Sequence, residues 1–389
     1  MKKFVKGLSL CLGVVLSLTL GLVGYLDYSL PASYYVTHSG EISCGASITA
    51  SPDSDTEMTL KLFGVIPIKE ADYTVTDAPL LIPGGTPVGI KLLTEGVVVV
   101  DMTEVERGVC PCKEAGLKIG DCIKSANGRA IASSDDIQDI ITQSEGKEIR
   151  LIISRDGKER ALNLKAAYSQ KDGCYKAGLW IRDSQAGVGT LTFIEPKTGV
   201  YGALGHPVSD YDTGGIMPLR SGEIVSAAIT SVDKGVKGAP GELHGRFTSE
   251  RSAGSILLNC ERGIFGVMGN IPQGEAIPMA FKSEVTAGDA TILATVNGRE
   301  PKEYNIQIEK ITLNNLSGTK NMVIRVTDPE LLMTTGGIVQ GMSGSPILQK
   351  GKLVGAVTHV FVSDPTRGYG IFAENMLEAA GIAATDNAA

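Results

Sequence analysis

Glycine constrains this chain more than any other residue. The 48 glycines are spread through short runs of β-branched and aliphatic residues such as Val97 to Val100 and Met322 to Val326. Each glycine in a helix interior costs about 0.8–1 kcal/mol relative to alanine, whereas turns and bent strands use its freedom. The pattern therefore predicts a mainly β, turn-rich architecture rather than a helical bundle. Beyond the first thirty or so residues the chain is long enough for two or more hydrophobic cores. Its net charge of −7 includes no basic stripe, which excludes nucleic acid as a partner.

The N-terminus has a different character. Lys2, Lys3 and Lys6 precede an uncharged apolar stretch from Gly7 to Leu26. At about 1.5 Å per residue it reaches roughly 30 Å, enough to cross a bilayer as a helix. A cleavable signal is the competing reading, but no clear Ala-x-Ala site follows, so residues 1–27 are expected to be an uncleaved anchor. The lysines face the cytoplasm by the positive-inside rule, which places everything after Asp27 across the membrane. Residues 28–82 are expected to form a stalk and a small β segment, with strands around Thr59 to Ile68.

The hexapeptide Gly341-Met342-Ser343-Gly344-Ser345-Pro346 has the form of a nucleophile loop in a trypsin-like serine peptidase. A serine hydroxyl needs a base within hydrogen-bond reach and donors aimed at the oxyanion it creates. In a Gly-x-Ser-Gly loop the amides of Gly341 and Ser343 can point at one spot, and Gly344 leaves room for a substrate backbone. Ser343 is the expected nucleophile, because both flanking glycines serve it, with Ser345 as a nearby decoy. The hairpin expected from Ile347 to Val357 would hold the loop against a rigid sheet.

Four histidines compete for the role of base: His38, His206, His244 and His359. His206, among the small residues of Tyr201-Gly-Ala-Leu-Gly-His206-Pro207, is preferred, and His359 is the runner-up. The third group must accept the imidazole's other N–H. Asp328 is chosen because it ends the alternating segment Met322 to Thr327 and Pro329 stops the ladder there. An Asp-Pro turn starter is the competing reading of Asp328, and Asp210 and Asp212 are the alternative acids. The order His206, Asp328, Ser343 is the order found in chymotrypsin-like enzymes.

A second module reads from Pro83 to about Lys165. Pro83-Gly84-Gly85-Thr86-Pro87 leads into Val88-Gly89-Ile90-Lys91-Leu92; a second apolar strand at Val97 to Val100 follows, and then a hairpin turning at Asn127-Gly128. Ser134 is expected to cap a helix that runs to about Gln143 and carries Ile137 and Ile141 on one face. This order resembles a PDZ domain. In a PDZ-like fold Val88, Gly89, Ile90 and Lys91 would border a peptide groove opposite Ile137 and Ile141, with a C-terminal carboxylate on the glycine-bent loop. The seven cysteines show no disulfide framework, and Cys110-Pro111-Cys112 without nearby histidines is a weak metal signal, so neither a metal nor a cofactor is expected.

Together, Tyr201-Gly-Ala-Leu-Gly-His206-Pro, Val326-Thr-Asp328-Pro and Gly336-Gly-Ile-Val-Gln-Gly-Met-Ser343-Gly-Ser-Pro resemble the SpoIVB peptidase family, the sporulation signalling peptidases of endospore-forming bacteria. The resemblance implies an anchor at 1–27, a PDZ domain at 83–168 and a chymotrypsin-like β-barrel peptidase domain at 169–380, while the composition of residues 381–389 is that of a disordered tail. It implies that His206, Asp328 and Ser343 are base, orienting acid and nucleophile, with Gly341 and Ser343 forming the oxyanion hole. It further implies self-cleavage between anchor and PDZ domain, and action on a membrane regulatory protein in the space between forespore and mother cell. Met342 stands where trypsin-like enzymes have the aspartate that pairs with a newly cut N-terminus, so that activation switch is absent. A PDZ adaptor with a non-catalytic peptidase-like domain is the alternative from another class.

Overall fold

Strands that bury every second residue dominate the chain, as in Glu57–Leu62, where Met58, Leu60 and Leu62 face inward. The computed structural model describes residues 2–37, 42–43, 47–313 and 318–381. His38, Cys44 and the tail from residue 382 onward lie outside them. The fold is mainly β, as expected from the glycine pattern.

A helix, Lys2–Ser29, opens the chain. Its segment Leu12–Ser29, of mean hydropathy 1.4, is long and apolar enough to cross a membrane and leaves its side chains almost wholly uncovered. Lys69 Nζ donates to the carbonyls of Asp27 (2.8 Å) and Leu30 (2.9 Å), placing a cation where the helix leaves carbonyls unpaired. Lys69 belongs to a five-stranded sheet with the order Ser33–Val36, Ile66–Val75, Glu57–Leu62, Ile48–Pro52 and Ile42–Ser43. Its buried residues, Tyr34, Val36, Met58 and Leu60 among them, form one core with the second barrel described below.

The PDZ module closes around Val97, Val99, Ile123, Ile137, Ile149 and Leu151. Its helix, Ser134–Gln143, is capped one residue earlier than expected. Ser133 accepts the amide of Asp136, whose carboxylate takes the amide of Ser133 in return, a reciprocal box that Ser134 does not make. The expected turn at Asn127-Gly128 is present and a second falls at Asp156-Gly157, all four residues having positive φ.

Two six-stranded barrels follow. The first closes through Pro87–Met102, Leu219–Asp233, Glu242–Cys260, Gly263–Met268, Val200–Ala203 and Leu179–Ile194, which returns to pair with Pro87–Met102. The second is the closed ring of Gly288–Ala294, Lys302–Ile311, Met322–Val326, Asp364–Phe372, Lys352–Phe361 and Pro346–Gln349. Each strand of either ring pairs with two neighbours, which closes both rings.

Pro87–Met102 and Leu179–Ile194 belong to both the PDZ module and the first barrel. The sequence suggests two separate strands, Val88–Leu92 and Val97–Val100. Instead the chain runs on as a single sixteen-residue strand. Val88 to Leu92 are paired on one side with Gln185 to Gly189 and on the other with Gly222 to Ser226, inside the barrel wall. Val88, Gly89, Ile90 and Lys91 therefore do not border the groove beside Ile137 and Ile141; both edges of their backbone are already used.

Candidate active site

Ser343 lies at the end of a short path of constrained backbone. The helix Pro329–Thr335 stops at Gly336 (φ 75°), and the chain passes through Gly337 into the loop Gly341 to Pro346. Gly344 has φ 95°, and a Cβ there would stand 2.1 Å from the carbonyl oxygen of Thr190. The close approach that demands glycine is thus made by the protein's own strand, not by a substrate. Thr190 holds the loop twice, its amide donating to the Ser343 carbonyl (3.1 Å) and its hydroxyl to that of Gly341 (2.8 Å). The Thr192 hydroxyl donates to the Gly344 carbonyl at 2.8 Å.

These bonds turn carbonyls inward and leave amides free. Among the described residues neither the Gly341 amide nor the Ser343 amide has an internal acceptor, as an oxyanion hole requires. Ser343 is partly exposed, and its hydroxyl donates to the Thr358 carbonyl at 2.7 Å. Ser345 is fully buried and its hydroxyl has no partner among the described residues, so it cannot meet a substrate. Met342 is packed into the barrel core, where an ion pair has no place.

His206 approaches from the first barrel. After the strand Val200–Ala203, Leu204 (φ 68°) and Gly205 (φ 69°) both take left-handed conformations and turn the chain toward the second barrel. Such a conformation is unfavourable for a bulky leucine and is sustained by its packing. His206 Nδ1 lies 2.8 Å from the Pro207 carbonyl oxygen. A carbonyl can only accept, so Nδ1 carries the proton and Nε2 keeps its lone pair. Burial holds His206 below the ordinary value of 6.5, against the opposing effect of the Pro207 bond.

The two barrels enclose a cleft of about 510 Å³ whose walls include Leu204, His206, Gln340, Gly341, Ser343 and His359. The rings of His206 and His359 are 5.1 Å apart. His359 reaches solvent at the cleft mouth, yet desolvation against the wall, with His206 and Lys320 adding repulsion, pushes its pKa down to about 4.

The candidate acids are placed elsewhere. Asp328 is the N-cap of the helix Pro329–Thr335. One carboxylate oxygen accepts the amides of Glu330 (3.0 Å) and Leu331 (3.1 Å), and the other accepts the Asn305 backbone amide (3.3 Å) and side-chain amide (3.4 Å). Desolvation opposes its ionisation, but these amides hold its pKa below the usual carboxylate value. It comes from the barrel that carries Ser343, not from the one that carries His206, and it makes no hydrogen bond to either cleft histidine. Asp210 and Asp212 are both paired with Arg182. His244 pairs with Asp233 on the surface at 2.8 Å. Among the described residues no His/Cys/Asp/Glu group has the arrangement of a metal site. Cys110 and Cys112 lie in the PDZ core with their sulfurs 3.5 Å apart, and burial, with Cys110 adding, pushes Cys112 up to about 12.

Thr190, Thr192 and Arg182 were not expected from the sequence. Thr190 lies 151 positions from the loop it holds, and nothing local in Gly187-Val188-Gly189-Thr190 marks that contact.

Two barrels with a serine loop on one and a histidine on the other, facing a shared cleft beside two free amides, define a serine peptidase of chymotrypsin-like architecture. The family model of the SpoIVB peptidase S55 matches residues 173–377, and that of the PDZ domain matches residues 85–166. The chain belongs to the SpoIVB peptidase S55 family. A Lactococcus lactis protein named as a zinc metalloprotease is 38% identical over 76 residues, 20% of this chain and 17% of that protein. The crystal structure of the PDZ domain of an SdrC-like protein from Listeria monocytogenes is 23% identical, covering 22% of this chain and 87% of that one with a TM-score of 0.20.

Substitution of Asp328 and variation of pH both test the site. Asp328→Ala removes a cap and should cost about 1 kcal/mol, whereas Asp328→Asn keeps an acceptor and should unfold in urea close to wild type. Activity of the folded Asn variant then separates two roles: a cap alone tolerates the lost charge, whereas an orienting acid would lose on the order of 10⁴-fold. The depressed pKa of His206 keeps it neutral to lower pH, so the acid limb of kcat/KM should fall below 6.5. Folded-state stability should also decline as pH drops from 6.5 toward about 4, because the unfolded chain binds protons there that His359 does not.

Proposed function

We propose that Ser343 and His206 carry out acyl transfer on peptide bonds. The chain is a serine peptidase by family, and what supports this residue assignment is the pair of free amides at Gly341 and Ser343 beside the His206 cleft. The Ser343 hydroxyl turns from the Thr358 carbonyl to His206 Nε2, loses its proton there and attacks the scissile carbonyl. The oxyanion that forms accepts from the two amides. His206 returns the proton to the leaving amine, and water hydrolyses the acyl-enzyme by the same route in reverse. The Pro207 carbonyl, bonded to Nδ1, holds the ring in the tautomer this needs. Asp328 joins in only if it gives up its cap; in the arrangement described it positions the helix leading to the nucleophile loop.

The membrane-length helix and the family support a more specific reading. The enzyme is anchored with its domains outside the cytoplasm of the cell that makes it, between forespore and mother-cell membranes. There it cleaves the extracytoplasmic part of a membrane regulatory protein, which leads to activation of the intramembrane peptidase that processes pro-sigma-K, and it cleaves itself to release soluble forms. One observation favours the alternative of a PDZ adaptor: Ser343 and His206 are not hydrogen-bonded to each other in this arrangement.

Purified full-length chain in detergent micelles decides between them. Wild type should shorten itself with time and Ser343→Ala should remain intact, a loss on the order of 10⁴-fold or more. Ser345→Ala should process normally and be no less stable, because it deletes a buried hydroxyl that has no partner. Processing that persists in Ser343→Ala and stops in Ser345→Ala would move the nucleophile to Ser345. A wild-type chain that cleaves neither itself nor peptides would favour the adaptor.

A further inference from the structure

The groove of the PDZ module is not bordered by the strand that the sequence places there. Facing Ile137, Gln138, Ile141 and Thr142 across a cavity of about 440 Å³ is the segment Tyr175 to Ile181. Leu179 to Arg182 pair with Val98 to Met102 on one edge, and the other partners of this strand begin only at Leu191. The edge of Leu179 to Arg182 turned toward the helix is therefore open among the described residues. Ala177, Leu179 and Ile181 pack with the PDZ core, so the segment is built into that module although it leads into the peptidase barrel.

The entrance to this strand has the features of an anion cradle. Gly178 has φ 74°, and a Cβ there would lie 2.1 Å from the Thr103 carbonyl oxygen, so the position accepts only glycine. The carbonyls of Ala177 and Gly178 are held by the amides of Cys112 (3.0 Å) and Thr103 (2.8 Å), while the amides of Ala177 and Gly178 have no acceptor among the described residues. Among the described residues Lys176 is the one charged side chain lining the cavity. It pairs with Asp172 at 2.9 Å, in contact with solvent. Free amides at a glycine bend, an open strand edge and apolar walls together suit an extended peptide that ends in a carboxylate and an apolar side chain.

The same strand continues to the catalytic cleft. Asp183 accepts the Ser134 amide of the groove helix at 2.8 Å. Arg182 pairs with Asp210 and Asp212, and Gln185 Nε2 donates to the Ser209 carbonyl at 3.1 Å, all three on the loop that follows His206. Thr190, roughly 35 Å along the strand from Leu179 at about 3.3 Å per residue, holds the Ser343 loop.

We propose that Ala177 to Ile181 form the carboxylate loop and docking strand of the PDZ groove, and that a peptide C-terminus bound there alters the Ser343 site through the continuous strand Leu179–Ile194. The coupling rests on the peptidase reading; the groove does not. Trp180, the single tryptophan of the chain, is 59% exposed on the docking strand, with its indole nitrogen 3.3 Å from the Thr103 hydroxyl, so its emission reports on the groove alone. Full-length chain in micelles is titrated with a set of tryptophan-free hexapeptides ending in Val, Ile, Leu, Ala or Phe, each as free acid and as amide. In parallel, the rate at which a fluorophosphonate labels Ser343 is followed. At least one free acid should change Trp180 emission saturably, its amide should not, and at saturation it should change the labelling rate by about fivefold or more. Flat emission with every peptide, equal responses to acid and amide, or an unchanged labelling rate at saturation overturns the proposal. If Ser343 labels normally without peptide while emission stays flat, the groove fails and the peptidase reading stands. A chain that never labels overturns both the coupling and the peptidase reading, whatever Trp180 does.

Discussion

Thr190 bonds the nucleophile loop through its amide and its hydroxyl, and much of the site depends on the strand that presents it. Leu179–Ile194 is held in the PDZ core at one end and in the first barrel at the other. Because both ladders of Pro87–Met102 are filled at Val88 to Leu92, moving that strand would break the barrel closure as well as the hold on the loop. Gly344 shows how tight the contact is, since any side chain there would collide with the Thr190 carbonyl. The loop that presents Ser343 is therefore pressed against a strand shared by two modules, and its shape is set by packing rather than by its own sequence alone.

The groups expected to do the chemistry rest on other partners. Ser343 is bonded to the Thr358 carbonyl, His206 to the Pro207 carbonyl, and Asp328 to the amides that begin a helix. Each bond is of ordinary length and worth only about 0.5–1.5 kcal/mol net, rather more where the Asp328 carboxylate is the acceptor, so substrate binding can exchange them. Met342, buried in the core, offers no carboxylate to take part in that exchange.

The serine loop, His206 and the groove isoleucines were legible because their signals are local: glycines that permit a tight loop, small residues around an imidazole, and apolar residues at helical spacing. Asp328 carried two local signals. A strand end pointed to the triad and an aspartate before a proline to a turn, whereas its hydrogen bonds go to the amides that open a helix. Val88 to Lys91 could not be placed locally at all. Thr94-Glu95-Gly96 can turn a hairpin or pass straight through, and the choice was made by strands almost a hundred or more residues later that fill both edges. Thr190 and Arg182 were hidden for the same reason, their partners being remote in sequence.

Amide hydrogen exchange on the full-length chain, read residue by residue, tests most directly the claim that the barrel takes Val88 to Leu92 and leaves the groove to Leu179 to Arg182. A strand paired on both edges protects consecutive amides, whereas a strand with one open edge protects only alternate ones. Val88 to Leu92 should all exchange slowly, and Leu179 to Arg182 should alternate between slow and fast. Alternating exchange at Val88 to Leu92, with continuous protection at Leu179 to Arg182, would contradict the account.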